Sequence, residues 1–157
     1  TGACLSPMNA FQLLQGIETM PLRMERHCEN ALAVAQHLSA HPKVDWVSFA
    51  ALPDHEHHAL AQKYMGGNAS GIMTFGVKGG FDAGVRFYDQ LGLFKRLVNI
   101  GDAKSLAIHP ASTTHSQLSP EEQLSAGVAP GFVRLSIGTE DITDILWDLD
   151  QALLSNT

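Results

Sequence analysis

Cysteine is scarce in this chain, basic residues are few and scattered, and no long apolar run occurs. Each shortage excludes something. Cys4 and Cys28 are the only cysteines. They lack a C-x-x-C spacing and are too few for a disulfide framework. Both read as packing thiols in a reducing, cytoplasmic compartment, because free cysteine is usually buried and inert. The 10 lysines and arginines form no cluster and are outnumbered by 16 acids, for a formal net charge of −6. That balance argues against a nucleic-acid partner. No apolar stretch approaches the ~18 residues of a membrane-spanning helix, and no signal-peptide pattern opens the sequence. Thr1-Gly2-Ala3-Cys4 reads as the interior of a longer polypeptide, which leaves targeting open. There is no internal repeat or low-complexity segment. What remains is a globular composition, 45% hydrophobic and 17% charged over 157 residues, enough for one domain with a real core.

Helix signals open the chain. Ser6 before Pro7 is a side-chain cap followed by a residue preset for the first turn. Pro21 then demands a kink or break near Thr19–Pro21. A second helix with the apolar stripe Ala31, Val34, Ala35 and Leu38 runs to about Ala40, where His41-Pro42 ends it. Val44–Ala50 and Ile72–Val77 read as strands, and Pro53–Met65 as a turn and short helix. Phe81, Val85, Tyr88 and Leu91 share a helical face stopped by Gly92. Leu97–Ile100 and Leu106–Ile108 have the character of short strands. Ser119-Pro120-Glu121-Glu122 is a capping box whose helix Gly127 closes. Ile142, Ile145, Leu146, Leu149 and Leu153 mark a last helix. Short connections between strands predict an α+β fold: a small, mostly antiparallel sheet with helices on one face. The front helix is expected to reach away from it.

The segment Phe132-Val133-Arg134-Leu135-Ser136-Ile137 carries the most information. On a strand, Val133, Leu135 and Ile137 share one face, while Phe132, Arg134 and Ser136 share the other. The first face is core. The second holds a guanidinium, which is costly to bury without an anion and whose planar fork matches a carboxylate. Two anions are open to it: an Asp or Glu of the same chain, or a ligand.

Around that strand lie Ser105-Leu106-Ala107-Ile108-His109-Pro110-Ala111-Ser112-Thr113-Thr114-His115 and Arg134-Leu135-Ser136-Ile137-Gly138-Thr139-Glu140-Asp141. The series resembles the C-terminal part of the Cys/Met-metabolism family of pyridoxal-phosphate enzymes, and among its branches the sulfhydrylases acting on O-acetylhomoserine. Leu5-Ser6-Pro7-Met8-Asn9-Ala10-Phe11, Gly16-Ile17-Glu18-Thr19 and Leu22-Arg23-Met24-Glu25-Arg26-His27 are similar to the family's segment after its cofactor domain. The resemblance implies the C-terminal domain of a fold type I, aminotransferase-like enzyme. Residues 1–20 would be an interdomain helix continuing from a missing cofactor-binding domain, and residues 21–157 the C-terminal small domain. It implies γ-replacement on O-acetylhomoserine by sulfide or a thiol to give homocysteine or methionine, pyridoxal phosphate (PLP) as cofactor, and a homotetrameric parent. O-succinylhomoserine sulfhydrylase, cystathionine γ-synthase and γ-lyase activities stay open beside it. So does a different class, a freestanding module that binds a small anion or a partner without chemistry of its own.

By the same resemblance, Arg134 would hold the substrate's α-carboxylate, Ser105 would add a donor nearby, and Asn99 would stand at the same edge. Turn chemistry is the competing role for Ser105 and Asn99. The family's aldimine lysine sits in a Ser/Thr-Lys context upstream. Lys43, Lys63, Lys78, Lys95 and Lys104 have no such context, so no catalytic or cofactor-binding residue is expected in this chain. Gly66-Gly67-Asn68-Ala69-Ser70-Gly71 lacks the lysine and spacing of a phosphate loop and reads as a turn. His109, before Pro110, is expected to satisfy loop backbone, and His115 to line the entry or pack. His55-Glu56-His57-His58 is not H-E-x-x-H and has no distant partners, so no metal is expected. It reads as an exposed helix start with Asp54 and Glu56 at the positive dipole end. Met20, Met24, Met65 and Met73 read as core gap-fillers.

Overall fold

The structure, a computed structural model, describes residues 2–154. Thr1 and residues 155–157, the outer ends of the two domain ranges expected above, lie outside the described residues. Helix α1 (Pro7–Glu18) starts where the Asn9 amide donates to Ser6 Oγ at 3.2 Å. It ends one residue before α2 (Met20–Ala40), which carries Pro21 in its first turn. Proline needs no amide partner there, so the two helices break without losing a hydrogen bond. Strand β1 (Val44–Ser48), helix α3 (His58–Met65), strand β2 (Ile72–Val77) and helix α4 (Gly80–Gln90) follow. Then come β3 (Lys95–Arg96), β4 (Leu106–Ile108), a 3-10 turn at Pro110–Ser112, α5 (Pro120–Ser125), β5 (Phe132–Ser136) and α6 (Ile142–Leu154).

The strands form one sheet in the order β1-β2-β5-β4-β3. Every pairing is antiparallel except the two-residue β3–β4 contact. One face is covered by α2, α4 and α6. Ala31, Val34, Ala35 and Leu38 from α2 are fully buried there, as are Ile145, Leu149, Ala152 and Leu153 from α6. They meet Met73, Phe75, Val133, Leu135 and Ile137 of the sheet, and Phe75 and Phe87 meet edge to face with ring centroids 5.4 Å apart. The α+β expectation therefore holds. Among the described residues, no helix is long and apolar enough to cross a membrane.

Two polar devices fix the helical layer on the sheet. Asp148 of α6 is buried, and its carboxylate accepts from the amides of Gly92, Leu93 and Phe94 at 2.9–3.2 Å. It satisfies the backbone that turns from α4 into β3, where no helix or ladder could. From α2, His27 Nδ1 donates to the Ile137 carbonyl at 2.6 Å, and Asn30 Nδ2 donates to the carbonyls of Gly138 and Glu140. The chain just past β5 is thus clasped by a helix more than one hundred residues earlier.

Several local expectations need correction. Leu97–Ile100 is an exposed loop, and the strand is Lys95–Arg96, since only these two residues find ladder partners on β4. The core face of α4 is Ala83, Gly84 and Phe87. Phe81 is exposed, and Val85 and Tyr88 flank that face. Helix α3 begins at His58, so Asp54 and Glu56 lie in the turns before it rather than in its first turn. Only Met73 of the four methionines is buried; Met20, Met24 and Met65 are all exposed. Cys28 packs in the interior, where burial raises its thiol pKa, but Cys4 is exposed. Helix α1 buries no residue at all, and Met8, Phe11, Leu14 and Ile17 stand in the open.

Candidate functional site

Arg134 sits on β5, between Thr74 of β2 and Ile108 of β4, on the face of the sheet the helices leave uncovered. Strand alternation puts it there, because its neighbours Val133 and Leu135 are fully buried on the other side. On the same open face, Trp46 lies over Gly76, a position where a Cβ would meet the indole Cε2 at 2.7 Å. Its ring stands 5.7 Å from that of Phe132.

The half-buried guanidinium donates one hydrogen bond through Nη2 to the Asn99 carbonyl, at 3.2 Å. Among the described residues no carboxylate forms an ion pair with Arg134. A cavity of about 420 Å³ opens beside it, lined among others by Arg134, Phe132, Val98, Ile108, Thr114 and His115. The result is a cation at the wall of a mostly apolar recess, steadied by one neutral acceptor, with most of its donor fork unspent. A fork with donors to spare can bind an anion.

Of the three residues expected to meet there, two come together. Asn99 reaches Arg134, but through its backbone carbonyl; its side-chain Oδ1 accepts from the Ile100 amide at 2.9 Å. Ser105 does not fit the expected role. It has no exposed surface. Its hydroxyl donates to Glu140 Oε2 at 2.9 Å and accepts from the Gly138 amide at 2.9 Å, while its own amide donates to Glu140 Oε1 at 2.7 Å. A hydroxyl with its proton and a lone pair committed inside the protein has no reach toward a ligand carboxylate. Glu140, which binds it, was quoted in the sequence motif but given no part there. Its partner lies 35 residues away, beyond what local spacing reveals.

The histidines divide. His109 is fully buried. Its Nε2 donates to the Pro130 carbonyl at 2.7 Å, so Nδ1 is the acceptor for the Ser112 hydroxyl at 2.8 Å. Burial holds its pKa below the usual 6.5, against a smaller upward pull from the Pro130 carbonyl. Gly84 leaves room for this ring, since a Cβ there would stand 2.5 Å from Nε2. His109 therefore locks loop backbone. His115 lines the Arg134 recess, with Nδ1 2.9 Å from Thr114 Oγ1. His55 accepts from the His57 amide at Nδ1, so its Nε2 carries the proton and donates to Ser48 Oγ at 3.0 Å. A histidine that donates to a serine cannot take that serine's proton, so the pair is no nucleophile. Among the described residues, no group of three or more His, Cys, Asp or Glu is placed to hold a metal ion.

Lys43 and Lys78 donate to the carbonyls of Leu154 and Pro42, and Lys63 lies over the Tyr64 ring. No lysine lines the Arg134 recess. The residues lining that recess do not fit a covalently held PLP.

Residues 1–154 match the family described as Cys/Met metabolism PLP-dependent enzymes. The O-acetyl-L-homoserine sulfhydrylase of Leptospira meyeri is 58% identical over 153 residues, covering 97% of this chain and 35% of that protein. O-acetyl-L-homoserine sulfhydrylase 1 of Thermus thermophilus is 52% identical over 152 residues, with 97% and 36% covered. The L-methionine gamma-lyase of Pseudomonas putida is 48% identical over 153 residues, with 98% and 38% covered. A crystal structure from Campylobacter jejuni, described as an O-acetylhomoserine (thiol)-lyase with N'-pyridoxyl-lysine-5'-monophosphate, superposes with a TM-score of 0.87 at 45% identity. It is matched over 98% of this chain and 36% of its own. The chain thus spans about a third of the length of the curated relatives it matches.

Proposed function

Because the chain belongs to the Cys/Met metabolism family of PLP-dependent enzymes, we propose that it is the C-terminal domain of an O-acetylhomoserine sulfhydrylase. In that reaction the Cγ–O bond breaks, acetate leaves, and sulfide or a thiol forms the new Cγ–S bond, giving homocysteine or methionine. The cofactor of such enzymes is an electron sink, and in this reading it is carried by the two thirds of the protein outside this chain. Helix α1 is the bridge to that part. Its support is the exposed apolar surface of Met8, Phe11, Leu14 and Ile17, a pattern that marks an interface.

This chain's own task is to hold the substrate. The observation that carries the reading is Arg134, without an ion-pair partner among the described residues, at the wall of an apolar recess. Two parallel hydrogen bonds to an α-carboxylate would fix the orientation of the substrate's Cα–H bond. Positioning of this kind can lower a barrier by several kcal/mol. Val98, Ile108 and Phe132 would keep water from the ion pair and so strengthen it. Asn99, through its carbonyl, holds the guanidinium in register. Ser105 has no part in ligand contact in this reading.

The sulfhydrylase relatives at 52% and 58% identity favour γ-replacement. A γ-lyase is the second reading, supported by the methionine gamma-lyase relative at 48%. A homotetramer in the cytoplasm completes the proposal; the two unpaired cysteines suit a reducing compartment. The test is Arg134→Lys in the full gene product, which keeps the charge and loses the fork. Hydrogen bonds to charged groups are worth about 1.5–3 kcal/mol, so kcat/KM for O-acetylhomoserine should fall roughly 10- to 100-fold with cofactor absorbance intact. Unchanged kinetics would sink the reading.

A further inference from the structure

The loop that holds Arg134 is itself held from one place. Residues 97–104 make few bonds of their own. The loop is closed at its base, where the Lys95 amide donates to the Ser105 carbonyl at 2.9 Å. Its far end is stitched to the segment after β5. The Thr139 amide and hydroxyl both donate to the Ala103 carbonyl. The Glu140 carboxylate takes the amide of Ser105 on one oxygen and its hydroxyl on the other, while the same hydroxyl accepts from the Gly138 amide. Gly138 permits this approach: a Cβ there would stand 2.5 Å from Ser105 N and 2.6 Å from Ala103 O. The segment is anchored in turn by Asn30, whose amide donates to the carbonyls of Gly138 and Glu140. A continuous path of bonds therefore runs from α2 through Glu140 and Ser105 into the loop whose Asn99 carbonyl receives the guanidinium.

We infer that Glu140 is a positioning residue for the anion clamp: through Ser105 it sets where the Asn99 carbonyl stands, and so which way Arg134 points. The inference rests on the clamp reading above. It explains why a buried serine near the site binds no ligand, and why a carboxylate close to the clamp's loop does not neutralise Arg134. Glu140 acts at a distance from the anion, through two acceptor oxygens whose donors both belong to residue 105. Glu140→Gln keeps the shape but replaces one acceptor by a donor. One of the two Ser105 protons then loses its acceptor in a buried setting.

Two measurements on the full gene product test this. The first is amide hydrogen exchange. In Glu140→Gln and in Ser105→Ala, the amides of Ser105, Gly138 and Thr139, whose bonds tie the loop down, should exchange at least about tenfold faster, with α2 and α6 unchanged. Unaltered exchange at those amides would overturn the inference whatever the site binds. The second is a mutant cycle on the Kd of a non-reacting amino acid, norleucine. Glu140→Gln should weaken it about tenfold in the wild-type background and less than twofold in an Arg134→Lys background, because one clamp is lost only once. Equal losses in the two backgrounds would show that Glu140 acts independently of Arg134 and would overturn the inference. Should Arg134→Lys bind norleucine like wild type, the clamp reading itself fails. Faster exchange at those amides would then still report the tether while refuting its role in binding.

Discussion

Replacing Gly138 by alanine puts one methyl group at one of the tightest crossings among the described residues. The backbone there is not in the left-handed region, so alanine suffers no torsional penalty and the cost is steric. The new Cβ would meet Ser105 N at 2.5 Å and Ala103 O at 2.6 Å, with Glu140 Oε2 in the way as well. Two of these are backbone atoms of a tethered loop and cannot swing aside like a side-chain tip. Ordinary contact begins at 3.4 Å, so the loop must retreat by roughly 0.9 Å. The bond from Ser105 N to Glu140 is 2.7 Å and that from Thr139 N to Ala103 O is 2.9 Å. A retreat of that size takes both past useful length. Overpacking costs about 1–3 kcal/mol and each weakened hydrogen bond about 0.5–1.5 kcal/mol, which together centre near ~4 kcal/mol. For a domain of this size the midpoint should fall by about 8–16 °C. Calorimetry and urea denaturation with an unchanged m-value would measure it. A loss under ~1 kcal/mol would mean that the crossing is loose and that the interlock around Glu140 has been misread.

Three further outcomes follow from other parts of the structure. Met73→Ala should cost about 2–5 kcal/mol by leaving a cavity, while Met65→Ala on the exposed end of α3 should stay within ~0.5 kcal/mol; urea midpoints for the two should separate clearly. His109 has a folded-state pKa below its unfolded value of 6.5 because it is buried. The unfolded chain therefore binds the extra proton first, and this contribution to stability, complete above pH 6.5, is lost as pH falls through 6.5 toward the folded value. A His109→Gln variant should show a shallower fall of stability over that window, and an unchanged slope would contradict the assignment. The 157 residues alone should form no aldimine with added pyridoxal phosphate; a stoichiometric adduct trapped by borohydride at one lysine would contradict that expectation.

Much of the architecture could be read from periodicity because burial enforces it. The α2 stripe and the alternation around Arg134 each follow from one face meeting the core, and the capping box at Ser119 is local chemistry that the structure repeats atom for atom. Other features were hidden for stated physical reasons. Strand β3 is two residues long and exists only because β4 pairs with it, so nothing in its own composition announces it. Met20 and Met24 look like core in sequence, since an apolar side chain carries the same signal whether or not its own domain covers it, yet both are exposed. Ser105 was expected to serve a ligand because it stands in a family motif. Its real partner, Glu140, is contiguous with it only in space. Asp148 was likewise silent, an acid within an apolar helical stripe whose three backbone donors come from a distant turn.

The central claim is that Arg134 keeps its fork for a carboxylate that arrives with the reactant. The most direct measurement compares two ligands of the full gene product that differ only in that group: norleucine and pentylamine, its counterpart without the α-carboxylate. The account predicts that Arg134→Lys weakens norleucine by about 10- to 100-fold and leaves pentylamine within twofold of wild type. An equal loss for both ligands, or none for norleucine, would contradict it.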